Sequence, residues 1–235
     1  MHPAQRSLFA LGYTLGMSAK AIVAARRTGS SDVVAGLAMR WAERVCQGCG
    51  VEVHASGVES LDLGTPMILA ANHQSLADVP CIVVGFGRVF GFLAKKELHH
   101  VPWFGHAMVL AGSLFVDRSS PERSHQSIAE AAARVRAGAS LVVFPEGTRA
   151  PRGRVLPFKK GPFHLVQAAG VPLVPVGIVG TADVLARDGW LARPAKVELR
   201  VGAPLSCGDD SAEAREDLRQ RTRAAIAALT GFEEM

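Results

Sequence analysis

The sequence predicts an α/β fold with a largely parallel central sheet flanked by helices, preceded by an N-terminal amphipathic helical hairpin. Three observations carry this expectation. From residue 50 onward short β-like runs alternate with helical segments, the order that lays helices over a parallel sheet. The chain has 235 residues, enough for one substantial domain with its own core and too few to demand two. Before residue 50 the strand signals stop, and two apolar stripes at helical spacing take their place.

The first stripe runs through Leu8, Leu11, Leu15 and Ile22. Residues 8–25 are too rich in Gly, Ala and Ser, and carry Lys20 too centrally, to read as a simple transmembrane helix. A cleaved signal peptide fits less well still, because the charged start is thin and the apolar core diluted. Ser31 and Asp32 then offer a helix start, and Val34, Leu37, Trp41 and Val45 form the second stripe, flanked by Arg40 and Arg44. Two readings stand at equal weight: a hairpin lying in a lipid interface, or two helices packed on the main domain. The expected division is a hairpin at 1–48 and an α/β domain at 49–235.

Strands are expected at 51–55, 67–71, 90–94, 113–117, 141–144, 171–179 and 197–201, all short β-like runs. The two prolines inside 171–179 place that strand at an edge or make it irregular. Helices are expected at Leu76–Val84, Pro121–Arg136, Pro162–Ala169 and from about Ser211 to Leu229.

A net charge of +5 and a pI near 9.3 point to anionic partners. Cys46, Cys49, Cys81 and Cys207 complete no zinc-binding spacing and read as reduced thiols. His99, His100 and His106 lack an accompanying ligand motif, so no metal is expected, and these histidines read as surface or interface residues.

The stretch "ANHQSLADVP" (71–80) carries the first chemical signal. Five residues along a helix turn through about 500°, so His73 and Asp78 cannot share a face if both are helical. A strand ending near Asn72, a turn at His73 and Gln74, and Ser75 as N-cap would put Asp78 in the first helical turn, where its carboxylate could reach back to the imidazole. Ser75 to Asp78 is equally the spacing of a capping box, in which the acid bonds only the cap amide. A base held by an acid normally serves a nucleophile, yet the chain has no G-x-S-x-G elbow. The economical nucleophile is therefore a substrate hydroxyl deprotonated by His73.

The second signal is "LVVFPEGTRAPRGRVLPFKKGP" (141–162), where a β run ends in a turn and Arg149, Arg152, Arg154, Lys159 and Lys160 follow with no acid among them. Such a loop suits phosphate oxygens. It is not a P-loop, and without interleaved aromatics it is a poor fit to nucleic acid. Lys95 and Lys96 end one strand, Asp117 and Arg118 another, and in a parallel sheet these ends gather with His73 and Arg149 on one edge.

The blocks "NHQSLAD", "GSLFVDR", "FPEGTR" and "VPLVPV", in this order over about residues 72–176, resemble those of the glycerolipid acyltransferase family, bacterial 1-acylglycerol-3-phosphate acyltransferases in particular. The resemblance implies that family's αβ fold. It implies transfer of an acyl chain from acyl-CoA or acyl-acyl-carrier-protein to the sn-2 hydroxyl of lysophosphatidic acid, giving phosphatidic acid with no cofactor and no covalent acyl-enzyme. His73 then matches the base and Asp78 its orienting acid, Lys95 resembles a lysine steadying the oxyanion, and Arg118, Glu146, Gly147, Thr148 and Arg149 match positions associated with acceptor binding. The hairpin resembles an interfacial anchor, which implies the cytoplasmic face of the cell membrane and its anionic lipids. The same chemistry on a lyso-ornithine lipid or another lysophospholipid, or a catalytically silent lipid-binding protein, are the alternatives.

Overall fold

A computed structural model describes residues 1–235. The chain opens with helix α1 (Pro3–Thr28), which has proline at its first position and a capping box between His2 and Gln5. Gly29 ends it in the left-handed conformation, and Ser30 caps helix α2 (Ser31–Cys49), which returns alongside α1. The Trp41 indole donates to the Thr14 hydroxyl at 2.9 Å and pins the two helices together.

The two helices divide the readings left open by the sequence. Val34, Leu37, Ala42, Cys46 and Cys49 of α2 are buried, and Ala42 and Cys46 belong to the core of the α/β domain. In α1 only Ser18 and Ala21 are buried, while Leu8 and Leu11 point to solvent. By length and composition this 26-residue helix could cross a membrane.

The sheet has seven strands in the order β1-β8-β7-β2-β5-β3-β4, formed by β1 (Val51–Ser56), β2 (Ile68–Ala71), β3 (Gly91–Lys95), β4 (Leu114–Val116), β5 (Leu141–Val143), β7 (Leu173–Val179) and β8 (Ala195–Val201). β7, β2, β5, β3 and β4 are mutually parallel; β8 is antiparallel to β7, and β1 runs parallel to β8. A two-stranded ribbon pairs β6 (Arg154–Val155) with β9 (Glu233–Glu234).

Strand side chains alternate between two apolar layers, as the pleat requires. Leu69, Ala71 and Val142 face helix α3 (Asp78–Phe86), with Cys81, Ile82, Val83 and Phe86. Ile68, Ala70, Leu141 and Val143 face the other side, where α5 (Pro121–Arg136), α6 (Gly161–Ala169) and α8 (Ala212–Thr230) supply Ile128, Val135, Phe163, Leu165, Leu218 and Ile226. Short helices α4 (Phe104–Leu110) and α7 (Thr181–Val184) lie in the connections after β3 and β7.

Two expectations need correction. The proline-bearing strand β7 is central, between β8 and β2, and not at an edge. Pro175 is tolerated because the β7–β8 ladder begins only at Val176, and its carbonyl still accepts from the Gly202 amide at 2.9 Å. The missing donor falls in the gap between that ladder and the isolated bridge from Leu173 to Leu205. Ser75 is also not the N-cap of α3: Ala77 holds that position without a side-chain bond, and Ser75 Oγ accepts from the Ala77 amide at 3.1 Å.

The topology fixes where a site opens. From β2 the chain leaves for α3 on one face, and from the neighbouring β5 it leaves for α6 on the other. The chain therefore leaves β2 and β5 toward opposite faces at a topological switch point, the place where an open α/β sheet carries its crevice.

Candidate active site

The loop after β2, residues 72–77, is tied to its surroundings through the side chains of Asn72, Gln74 and Ser75 and through its backbone. The Asn72 side chain donates to the Ile178 carbonyl at 2.9 Å and accepts from the Ile178 amide at 2.7 Å, extending the pairing of β2 with β7. Gln74 Nε2 donates to the Pro151 carbonyl at 3.0 Å, and Ser75 Oγ to the Leu185 carbonyl at 2.8 Å. The His73 carbonyl accepts from the Ala150 amide at 2.6 Å. Asn72, Gln74 and Ser75 are buried; Leu76 is 62% exposed.

At the centre Asp78 Oδ2 accepts three bonds: from His73 Nδ1 at 2.6 Å, the Gln74 amide at 2.9 Å and the Ser75 amide at 3.0 Å. Both readings of Asp78 thus have a geometric counterpart, because one oxygen takes the turn amides and the imidazole together. Asp78 is fully buried, and its Oδ1 has no hydrogen-bond partner. The His73 ring stacks on Phe144 with centroids 4.1 Å apart and planes 17° apart, and Phe92 backs Phe144 at 6.3 Å. With Nδ1 held by Asp78, Nε2 is the ring nitrogen left for chemistry; the side chain is 17% exposed, at the crevice.

Glu146, expected among acceptor contacts, lies beneath the crevice. It is 1% exposed; Oε1 accepts from the His73 amide at 2.7 Å and Oε2 from the Leu156 amide at 2.9 Å. One carboxylate thus joins the loop after β2 to both limbs of the loop after β5. Burial pushes its pKa up to about 7, against the opposing pull of those two amides.

Gly147 turns the chain at φ 70, and a side chain there would meet the Arg118 guanidinium, which rests at 3.2 Å from the position of its Cβ. Arg118 and Thr148 are exposed and Arg149 half-buried. Lys95 is exposed at the carboxyl end of β3. The parallel register gathers the ends of β2, β3, β4 and β5 on one edge, and with them His73, Lys95, Arg118 and Arg149. None of Lys95, Arg118, Arg149 and Lys159 makes an ion pair.

The cationic loop is less uniform than its sequence. Arg152 pairs with Asp183 at 2.7 Å and Arg154 with Glu233, so two of its cations are neutralised by acids from distant segments. Lys96 and Arg123 likewise share Asp117, whose carboxyl is held well below the usual carboxylate range by Lys96 first and then Ser119. Sequence reasoning passed over Phe144, Asn72 and Gln74. Phe144 was visible as the aromatic closing the β5 run, but nothing local shows that its ring would lie under an imidazole 71 residues away.

Chemically, the arrangement is an imidazole oriented by a buried carboxylate, with one nitrogen facing a crevice rimmed by unpaired cations. Such a group can take a proton from a hydroxyl, and the rim can hold an anion.

The sequence pattern of the Acyltransferase family matches residues 52–179, more than half of the chain. A 1-acyl-sn-glycerol-3-phosphate acyltransferase from Cocos nucifera is 38% identical over 146 residues, 62% of this chain and 47% of that protein. One from Saccharomyces cerevisiae is 35% identical over 164 residues, 67% of this chain and 52% of that protein. The chain thus spans about half the length of these curated relatives. A protein of the same name from Pseudomonas aeruginosa is 29% identical over 185 residues, 78% of this chain and 70% of that protein. The crystal structure of the 1-acyl-sn-glycerophosphate acyltransferase PlsC from Thermotoga maritima superposes with a TM-score of 0.80 at 27% identity, covering 97% of this chain and 95% of that one.

Proposed function

The chain belongs to the acyltransferase family, and from that premise we propose that it transfers an acyl group from acyl-CoA or acyl-acyl-carrier-protein to the sn-2 hydroxyl of 1-acyl-sn-glycerol-3-phosphate, giving phosphatidic acid. The observation that carries the reading is the His73–Asp78 dyad at 2.6 Å, with Nε2 open to a crevice rimmed by unpaired cations.

His73 Nε2 takes the proton of the acceptor hydroxyl as its oxygen attacks the thioester carbonyl, and Asp78 supports the imidazolium that forms. The tetrahedral adduct carries its negative charge on the former carbonyl oxygen, and Lys95 is the cation assigned there; such a donor contributes about 3–4 kcal/mol. Collapse breaks the carbon–sulfur bond, and the imidazolium returns its proton to the departing thiolate. Arg118 and Arg149 bind the acceptor phosphate, with Gly147 and Thr148 shaping the turn between them. Glu146 acts as a positioning residue for this turn and for the His73 backbone. The work takes place at the cytoplasmic face of the membrane, with α1 as the apolar anchor and the net positive charge drawing the protein to anionic lipids at about 1 kcal/mol per well-placed cation.

The test is a product assay with purified protein, one acyl thioester and a panel of lysolipids. Phosphatidic acid from the phosphomonoester acceptor, several-fold ahead of neutral, zwitterionic or ornithine-based lysolipids, is expected. Preference for a lysolipid without a phosphomonoester would overturn the acceptor assignment, and no transfer to any would overturn the reaction.

A further inference from the structure

The connection between β3 and β4 takes no part in the chemistry above, yet it holds the only residue other than glycine at positive φ. Trp103 sits at φ 60 and ψ −43, and across it the Phe104 amide donates to the Pro102 carbonyl at 2.6 Å. This is the strained form of the γ-turn, a conformation that persists only where the surroundings enforce it. The indole gains nothing inside the protein in return: it is 58% exposed and its Nε1 makes no hydrogen bond. Leu98, Val101 and Val109 of the same segment are exposed as well.

The rest of the segment indicates what covers this surface. An indole with an apolar body and a free N–H suits the boundary between headgroups and acyl chains. Where the segment leaves β3 and returns to β4, Lys95, Lys96, Arg118 and Arg123 stand against Glu97 and Asp117, a net charge of +2 even with Lys96 and Arg123 held by Asp117, so the charge complements an anionic surface. Helix α4 packs against α1, the helix with exposed Leu8 and Leu11, so the segment adjoins the proposed anchor. It also begins at the carboxyl end of β3, the sheet edge that carries His73.

We infer that Leu98–Val109, with Trp103 at its tip, is a second lipid-inserting element on the catalytic domain itself, which docks on an anionic bilayer and turns the His73 edge toward it. The inference rests on the reading that the acceptor is a membrane lipid. Anchored by α1 alone, the whole molecule could roll about the α1 axis relative to the bilayer; a second point of insertion removes that freedom and presents the crevice to the bilayer.

The experiment uses the full chain with Trp41→Phe and Trp190→Phe, leaving Trp103 as the one tryptophan of the original three. Vesicles of phosphatidylcholine, with or without phosphatidylglycerol, are prepared with ordinary or dibrominated acyl chains. With phosphatidylglycerol present, Trp103 emission is expected to shift to the blue and to be quenched by the brominated chains. Trp103→Gly in the wild-type background should lower vesicle affinity about tenfold. It should keep or raise the melting temperature, since glycine adopts φ 60 without strain, and leave turnover of a short-chain, water-soluble lysolipid unchanged. A vesicle-bound chain whose Trp103 neither shifts nor is quenched overturns the inference. So does a Trp103 shift that depends on protein concentration alone, which would place a second copy on the patch. Transfer without quenching sinks the lipid dock and leaves the proposed reaction standing; quenching with no transfer to any lysolipid does the reverse.

Discussion

The loop that carries His73 and the rim that faces it are built on opposite terms. Asn72, Gln74 and Ser75 of the loop, and Asp78 at the start of α3, are buried and bonded to backbone from β7, the loop after β5, the segment after α7, or the loop itself. On the rim, Lys95, Arg118, Arg149 and Lys159 are left without an acid, although Arg152, Arg154 and Lys96 close by are paired. The difference separates two tasks. A base must be held in one orientation before substrate arrives, and buried, satisfied hydrogen bonds do that. A phosphate-binding cation must exchange water for ligand, and a prior salt bridge would compete with that exchange.

The largest effect expected from breaking the locked side is that of Asp78→Asn. Because Oδ1 has no partner, the asparagine amide can place its oxygen where Oδ2 stands and its NH2 where Oδ1 stands, keeping the bonds from His73, Gln74 and Ser75 while losing the charge. Turnover should fall about 10²–10⁴-fold with a small change in melting temperature. Steady-state kinetics beside a thermal melt decide it, and a large loss of stability with turnover preserved would make Asp78 a cap alone.

Glu146 sharpens the same side through pH. Its folded pKa, about 7, lies above the ordinary glutamate value of 4.5, so the folded protein binds the extra proton between these values. The contribution to stability is fully present below about pH 4.5 and lost as pH rises through 7, a change of about 3 kcal/mol at most. Denaturant midpoints of wild type and Glu146→Gln measured from pH 5 to 8 should converge on the acid side and part on the alkaline side, with the wild type falling. Parallel curves would mean that the two amide bonds hold Glu146 ionised throughout.

On the open side, Arg149→Ala should raise the KM for the lysolipid acceptor about tenfold, with little change in the KM of the acyl donor or in stability. A rise in donor KM instead would reassign the rim. Arg152→Ala is the matched control with the smallest effect: this guanidinium is already committed to Asp183, so acceptor KM should change less than about twofold. Equal effects from the two substitutions would show that loop charge as a whole, and not the unpaired cation, binds the phosphate.

What the sequence made legible follows from range. The strands, the four main helices and the His73–Asp78 pair are local: short β-like runs, helical stripes and a spacing of five residues need no partner to be read. What escaped depends on partners far along the chain. Glu146 reads as one of the acceptor contacts until its bond to the His73 amide, 73 residues away, is known. Arg152 and Arg154 look like free phosphate ligands because Asp183 and Glu233 lie outside any local window. Pro175 suggests an edge strand because the point where the β8 ladder stops is a property of the pairing, not of the strand. The γ-turn at Trp103 leaves no trace in composition, since tryptophan is a residue that such a turn disfavours.

Whether His73 is the base that takes the acceptor's proton is decided by following product and protein together. Wild type and His73→Ala are each given a labelled acyl thioester and lysophosphatidic acid; labelled phosphatidic acid and acylated protein are followed together, with circular dichroism confirming the fold of both. With His73 as the base, label is expected in phosphatidic acid with wild type, at a rate lower by about 10²–10⁴-fold with His73→Ala, and no acyl group on either protein. Phosphatidic acid at the wild-type rate from His73→Ala, or acyl label accumulating on the wild-type chain when the acceptor is withheld, would contradict that role.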